Sequence, residues 1–390
     1  MANYSVLLVG PYQRERRVFS MAFFLETLHK GLAERGVMVD VISPVVRLGA
    51  LPMPVNIFSK ILAAVDKLVI FPFELRRKVK AMGRNGPVVV HIVDQAYANY
   101  SRNLANVPHI ITCHDIISLQ ATRGELKERS EPLRTRIYQH MLRRAFARAP
   151  MVAAISVTTK EHVCRLTGLD PDRVPVVYNG MHYPYHPMSG QQAKAELNGL
   201  LDSRWPFYMH IGVNVWYKNR EGVLDIFNSW NHRDPDSSGT RLVMVGPQPT
   251  PAMKEKVSAL NLADAVIWLS DLTNEQVCAL YSTARGLIFP SFMEGFGWPI
   301  IEAMACGCPV FTSNRAPMTE IGGDAARYFD PNDPNQASRV LAVTASDREA
   351  MVQAGLRRAA FFSLKNMLDG YSQTYERVLN IYSSSKKYLD

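Results

Sequence analysis

The stretch SFMEGFGWPIIEAMACGCPV at residues 291–310 sets two carboxylates, Glu294 and Glu302, among glycines and apolar residues. Just before it, GLIFP at 286–290 reads as a strand, and Pro299 suits the first position of a helix, where its missing N–H would be unpaired in any case. This places Glu294 on a strand-to-helix loop and Glu302 in the first helical turn. Gly295 and Gly297 let the backbone approach a ligand closely, and the N–H groups that open a helix form an anion site. A diphosphate is the guest that fits. Glu302, favoured near the positive helix end, can accept from both hydroxyls of a ribose, and Glu294 from the hydroxyls of a sugar. The plain alternative is a carboxylate that satisfies a helix terminus beside a tight turn. An isolated pair of glutamates eight apart favours that alternative. The same pair combined with EGFG, a helix-starting proline and the small-residue run EAMACG favours the binding site.

The elements that must hold this loop are legible as short β-branched runs between helical segments. They fall at 4–10, 37–43, 88–93, 109–114, 151–156 and 174–179, and the pattern restarts at 207–212, 241–246, 265–270, 286–290 and 309–313. Such alternation predicts an α/β protein with parallel sheets covered on both faces. A chain of 390 residues exceeds what one core usually serves, so two doubly wound, Rossmann-like units are expected. NGMHYPYHPMSG at 179–190 lacks periodicity and reads as the linker, giving domains at 1–185 and 186–369. Met367, Tyr371, Tyr375 and Val378 share a helical face. Spacing alone leaves open which domain that C-terminal helix joins; the assignment made here is that a helix over about 370–390 packs back on the first. Ligands of open α/β sheets bind beyond the carboxyl ends of the strands, so two facing sheets would form a cleft.

Composition narrows the class. Hydrophobic residues make up 47% and charged ones 20%. No apolar run approaches the roughly 20 residues of a membrane span, and the apolar part of the opening segment is too short for a secretory signal. A cytoplasmic chain is expected, with a peripheral place on the inner face of the membrane left open. Cysteines 113, 164, 278, 306 and 308 have no disulfide spacing, and no second Cys or His pair completes a metal site around Cys306 and Cys308. Residues 1–185 carry 25 Lys and Arg against 14 Asp and Glu, while residues 186–390 carry 19 against 21. The basic half should meet an anion. Nucleic acid is disfavoured, since no binding motif of that class occurs. In residues 56–84, Ile57, Ile61, Val65, Leu68 and Val69 precede Arg76, Arg77, Lys78, Lys80 and Arg84. Two readings stand for it: a helix lying on an anionic membrane, or an ordinary helix with a solvated basic face. Gly10, Arg14, Arg16 and Arg17, beyond the first strand, are acceptor-side candidates.

At PSFMEGFGWPIIEAMACGCPVFTSNRAPMTEIGGDAARYFDP the chain resembles the retaining, metal-independent GT-B glycosyltransferases of family four, over about 40 residues. Weaker similarity covers TCHDIISL 112–119, AISVTTKEHV 154–163, VVYNG 176–180, HIGVNVWYKN 210–219 and RLVMVG 241–246. The resemblance implies a nucleoside-diphosphate-sugar donor held by the second domain and a glycan or lipid-linked acceptor held by the first. It implies that Glu294 and the amides of Gly295, Phe296 and Gly297 hold the donor sugar. The donor stretch continues through Trp298 and Pro299, and Glu302 holds the ribose. Lys218 would neutralise the diphosphate, and His114 would reach the sugar near the reacting carbon. Neither cofactor nor metal is implied, and Asp234-Pro235-Asp236, in a polar run, is set aside as a metal site. The expected reaction is hexosyl transfer, mannose among the candidates, in cell-surface polysaccharide or glycolipid synthesis. Two departures stand out. Val213 occupies a position where many members carry Arg, with Arg220 read as a helix-surface residue that could compensate, and Gly10 is alone where many have a glycine pair. A dinucleotide-dependent oxidoreductase is opposed by the lack of G-x-G-x-x-G after the first strand. A non-catalytic sugar-nucleotide-binding protein of the same fold has Val213 as its only support.

Overall fold

Buried on both faces, the strands of the first unit other than Met38–Ile42 at one edge read as near-continuous apolar runs. β1 (Ser5–Val9), β2 (Met38–Ile42), β3 (Val88–Ile92), β4 (His109–Cys113) and β5 (Met151–Ala154) form a parallel sheet in the order β2-β1-β3-β4-β5. The computed structural model describes residues 3–11, 19–45, 57–117, 133–202, 204–234 and 237–386. Arg14, Arg16 and Arg17 lie outside the described residues, as do 118–119 and 235–236. On one face of the sheet Leu7, Val9 and Val90 pack with Phe71, Leu75 and Phe146. On the other, Val6, Leu8 and Val89 pack with Leu28 and with Met367, Tyr371, Tyr375 and Val378 of the helix Leu364–Lys386.

That C-terminal helix belongs to the first unit, which comprises Met1–Tyr178 and Leu364–Asp390. Polar bonds add to its apolar contact. His91 Nδ1 lies 2.8 Å from the Tyr375 hydroxyl, His91 Nε2 lies 2.7 Å from Thr112 Oγ1, and Thr112 Oγ1 lies 3.0 Å from the Tyr371 hydroxyl. Burial pushes the pKa of His91 down to about 3, so a neutral ring sits inside this network.

The second unit, Asn179–Ser363, holds a six-stranded parallel sheet. Its strands are β6 (Phe207–Ile211), β7 (Arg241–Val245), β8 (Val266–Leu269), β9 (Gly286–Phe289), β10 (Val310–Ser313) and β11 (Ala326–Phe329). Their order is β11-β10-β9-β6-β7-β8. Strand order therefore reverses between β6 and β9, the switch point at which doubly wound sheets bind ligands. Tyr208, Phe227, Trp230, Ile288 and Phe311 anchor one core layer. Among the described residues no helix is long and apolar enough to cross a membrane.

Three details differ from the sequence reading. The unit boundary falls at 178/179 instead of 185/186, because His182 and Tyr185 set their rings against Trp298 and Tyr281 of the second unit. The run at 174–179 makes a single bridge, Ala154 to Val176, since Pro175 has no N–H to extend a ladder. β11 was not anticipated. It is four residues long at the sheet edge, with Ala326 and Phe329 buried and Arg327 and Tyr328 more open between them, so it shows neither a continuous apolar run nor an alternation.

Removing the Tyr375 hydroxyl leaves His91 Nδ1 buried and unpaired. Tyr375→Phe should therefore lower unfolding stability by about 1–3 kcal/mol in urea titrations. Tyr382→Phe, whose hydroxyl bonds the Ala105 carbonyl at an exposed site, should change it little.

Candidate active site

The two loops that leave β6 and β9 meet at the switch point. Lys218 Nζ donates to Glu294 Oε1 at 2.7 Å, with side chains only 15% and 9% exposed. The ammonium also lies 5.2 Å from the centre of the Phe289 ring. Backbone bonds hold the same junction: Phe292 N donates to the Tyr217 carbonyl at 2.7 Å. Lys218 ends a single 3-10 turn, Trp216–Lys218, that Asn219 closes with φ of 51°. Asparagine tolerates this left-handed conformation better than most residues, and here its side chain amide donates to the carbonyls of Pro290 and Pro331, each at 3.2 Å. Asn219 thus fixes the turn that presents Lys218.

The neighbouring β6 and β7 loops touch through glycine. At Gly246, with φ of 132°, a Cβ would sit 2.2 Å from the Gly212 carbonyl oxygen. Arg220 is not the helix-surface residue expected from sequence. It is 2% exposed, its Nη1 donates to Asn214 Oδ1 and to the Pro247 carbonyl at 2.9 Å, and its guanidinium lies 5.5 Å from the centre of the Trp268 ring. Burial lowers its pKa. Val213 beside it is 50% exposed.

Gly297, with φ of 104°, turns the chain into the helix Trp298–Ala305, in which Pro299 is the second residue. Glu302 is consequently the fifth, one residue deeper than the sequence suggested and past the first turn, within which the field of a helix terminus falls off. Burial raises its pKa to about 7, with the Tyr281 bond and the Lys218 charge pulling the other way. The Tyr281 hydroxyl donates to Glu302 Oε2 at 3.2 Å, and His182 Nδ1 lies 3.9 Å from Glu302 Oε1. His182 is itself driven towards the neutral form by burial. The Trp298 indole donates to the Gly180 carbonyl at 3.4 Å, and Phe296 is buried against Phe362, ring centres 5.6 Å apart. Tyr281, His182 and Asn219 escaped the sequence reading. Tyr281 lies inside an apolar helix with nothing to mark it. His182 had a signal in the density of His and aromatic residues within the supposed linker.

In the first unit His114 closes β4. Its Nε2 donates to the Val93 carbonyl at 2.8 Å, and its ring meets Phe24 edge-on at 4.7 Å. Burial lowers its pKa against the pull of Asp94, the Val93 bond and Asp115, and Nδ1 has no partner among the described residues. The result is a neutral imidazole with an unused acceptor. Asp115 Oδ1 accepts from Ile117 N at 3.2 Å, a local loop bond. Gly10 is buried, and a Cβ there would lie 2.3 Å from Val93 Cγ2, so this glycine serves the packing of β1 against β3.

A carboxylate–ammonium pair followed by a glycine-led helix thus lies at the switch point of a doubly wound sheet, the place at which such sheets bind ligands. Residues 198–357 match the family described as Glycosyl transferases group 1, and residues 21–182 that described as Glycosyltransferase Family 4. The chain belongs to these GT-B family-four glycosyltransferases, and its enzyme class is hexosyltransferase. The O-antigen chain mannosyltransferase B of Escherichia coli is 27% identical over 264 residues, 66% of this chain and 67% of that protein. Two solved structures share the fold. A sucrose-phosphate synthase from Thermosynechococcus elongatus superposes with a TM-score of 0.74 at 18% identity, over 97% of this chain and 100% of that one. Anabaena Alr3699/HepE in complex with UDP gives 0.71 at 14% identity, over 96% and 100%.

Because the fold favours protonated Glu302, the stability this residue contributes is complete below about pH 4.5. It is lost as pH rises through about 7, a swing of about 3 kcal/mol. Glu302→Gln has no proton to lose. The melting temperature of the wild type should therefore fall relative to that of the variant between pH 5 and pH 8, whereas parallel curves would mean that Glu302 is already charged in the native protein.

Proposed function

We propose that this chain transfers a hexose, with mannose the first candidate, from a nucleoside-diphosphate sugar to a glycan or lipid-linked acceptor in cell-surface polysaccharide or glycolipid synthesis. The observation that carries the reading is the Lys218–Glu294 pair at the β6/β9 switch point. The mannosyltransferase relative supports the sugar, and the neighbour solved with UDP supports a nucleotide donor.

In this reading Lys218 and the amides that open the helix at Trp298 hold the diphosphate. Glu294, with the amides of Gly295, Phe296 and Gly297, holds the donor sugar, and Glu302 accepts from the ribose hydroxyls. Those hydroxyls favour the ionised carboxylate, so donor binding below about pH 7 releases a proton from Glu302. When the sugar–phosphate bond breaks, its electron pair moves to the departing phosphate oxygen and positive charge spreads over the sugar ring. Lys218 is set to stabilise the first of these charges. The acceptor hydroxyl enters on the leaving-group face, which retains the anomeric configuration, and its proton passes to a phosphate oxygen. Neutral His114 offers Nδ1 to a sugar hydroxyl near the reacting carbon. Lys218 and the helix amides carry the phosphate charge in place of a divalent ion. The non-catalytic alternative rests on Val213, and any transfer or donor hydrolysis in vitro excludes it.

Lys218→Ala should lower kcat by about a hundredfold or more, the cost typical of losing one preorganised charge-stabilising donor. A nucleoside diphosphate should raise the melting temperature of the wild type far more than that of Glu302→Ala, and equal shifts would remove Glu302 from the donor site. Turnover should survive a chelator, and the product should keep the donor's anomeric configuration by NMR.

A further inference from the structure

We infer that one helical face between Ile61 and Arg84 docks this chain on an anionic lipid surface. The helix Ile57–Val65, the π turn Asp66–Ile70 and the helix Phe71–Met82 run on continuously, with right-handed dihedrals at Val65, Ile70 and Phe71. The inward side is committed to the core through Phe71, Leu75 and Met82. The outward side is apolar where a solvated helix would be polar: Ile61 is 53% exposed, Leu68 53%, Val69 63% and Phe73 69%. Single exposed apolar residues are ordinary, but a contiguous set marks an interaction surface.

The order along this face selects the partner. Ile61, Val65, Val69 and Phe73 succeed one another at helical spacing, and Arg77, Lys80 and Arg84 continue the same stripe. Two cations off the stripe have internal duties, while Lys60 and Lys67 lie exposed beside its apolar part. Arg76 donates to the Asn103 carbonyl at 3.4 Å and Lys78 pairs with Asp40. Arg77, Lys80 and Arg84 make no ion pair with a described residue. A stripe that passes from apolar to cationic suits a helix lying obliquely at a bilayer boundary, its apolar side chains in the acyl region and its cations level with the phosphates. A second copy of the chain fits poorly. Antiparallel pairing of two such stripes sets cations against apolar side chains, and parallel pairing sets like charges together.

The inference extends the proposed function to where the acceptor is presented, and its test does not depend on the donor. Full-length protein is floated with vesicles of phosphatidylcholine alone or mixed with phosphatidylglycerol, at low and high salt. The wild type should float with the anionic vesicles only, and less so at high salt. Both V69S/F73S and R77E/K80E/R84E should reduce the bound fraction by roughly tenfold or more. The wild-type melting temperature and its shift with a nucleoside diphosphate, retained in both variants, certify the fold and read the donor site separately. Absence of wild-type flotation, unchanged flotation of both variants, or a wild-type dimer that V69S/F73S converts to monomer would each overturn the inference.

Discussion

A lysine ammonium and a glutamate carboxylate held 2.7 Å apart and largely out of water set the terms for the rest of the second unit. Taking two such charges from water costs several kcal/mol each unless geometry and further bonds compensate. The compensation is visible in the loops: Phe292 bonds Tyr217, and Asn219 bonds the carbonyls of Pro290 and Pro331. A cation desolvated and aimed in advance needs little rearrangement when a charge develops beside it. Mutual neutralisation keeps the buried pair tolerable.

Glu302 fits the same constraint. Charged alongside Glu294, it would set two carboxylates against the one ammonium of Lys218. Burial and the neighbouring Tyr281 and His182 instead surround it with groups that carry no charge of their own, and its pKa sits near 7. The first unit follows a different rule. His114 and His91 are both kept neutral by burial, His114 with an unused Nδ1 at the end of β4 and His91 bonded to Tyr375 and Thr112, while Arg77, Lys80 and Arg84 lie exposed. The C-terminal helix is part of that arrangement, since its tyrosines are bonded to the His91–Thr112 network.

Much of this was readable in advance, for local reasons. The β-branched runs of β1, β3, β4, β6, β7 and β9 announce buried parallel strands, because a strand covered on both faces has no polar alternation to hide it. EGFG followed by Trp298-Pro299 announces a strand-to-helix turn, because glycine conformations and a helix-opening proline are backbone properties. Glu294 could be named from the residues around it, and Lys218 from family resemblance.

Tertiary structure decided the rest, since what remained depends on residues far apart in the chain. That Lys218 and Glu294 form a pair follows from strand order, which sets β6 beside β9 although 76 residues separate the two side chains. The raised pKa of Glu302 follows from burial, which a helix-terminus argument cannot see. Arg220 looked like surface until the β7 loop closed over it. By itself the sequence determined most of the strands, the strand-to-helix turn at residues 295–299 and which side chains are chemically equipped. Distance, desolvation and partner choice came from packing, because Coulomb energies and pKa values answer to the neighbours in space.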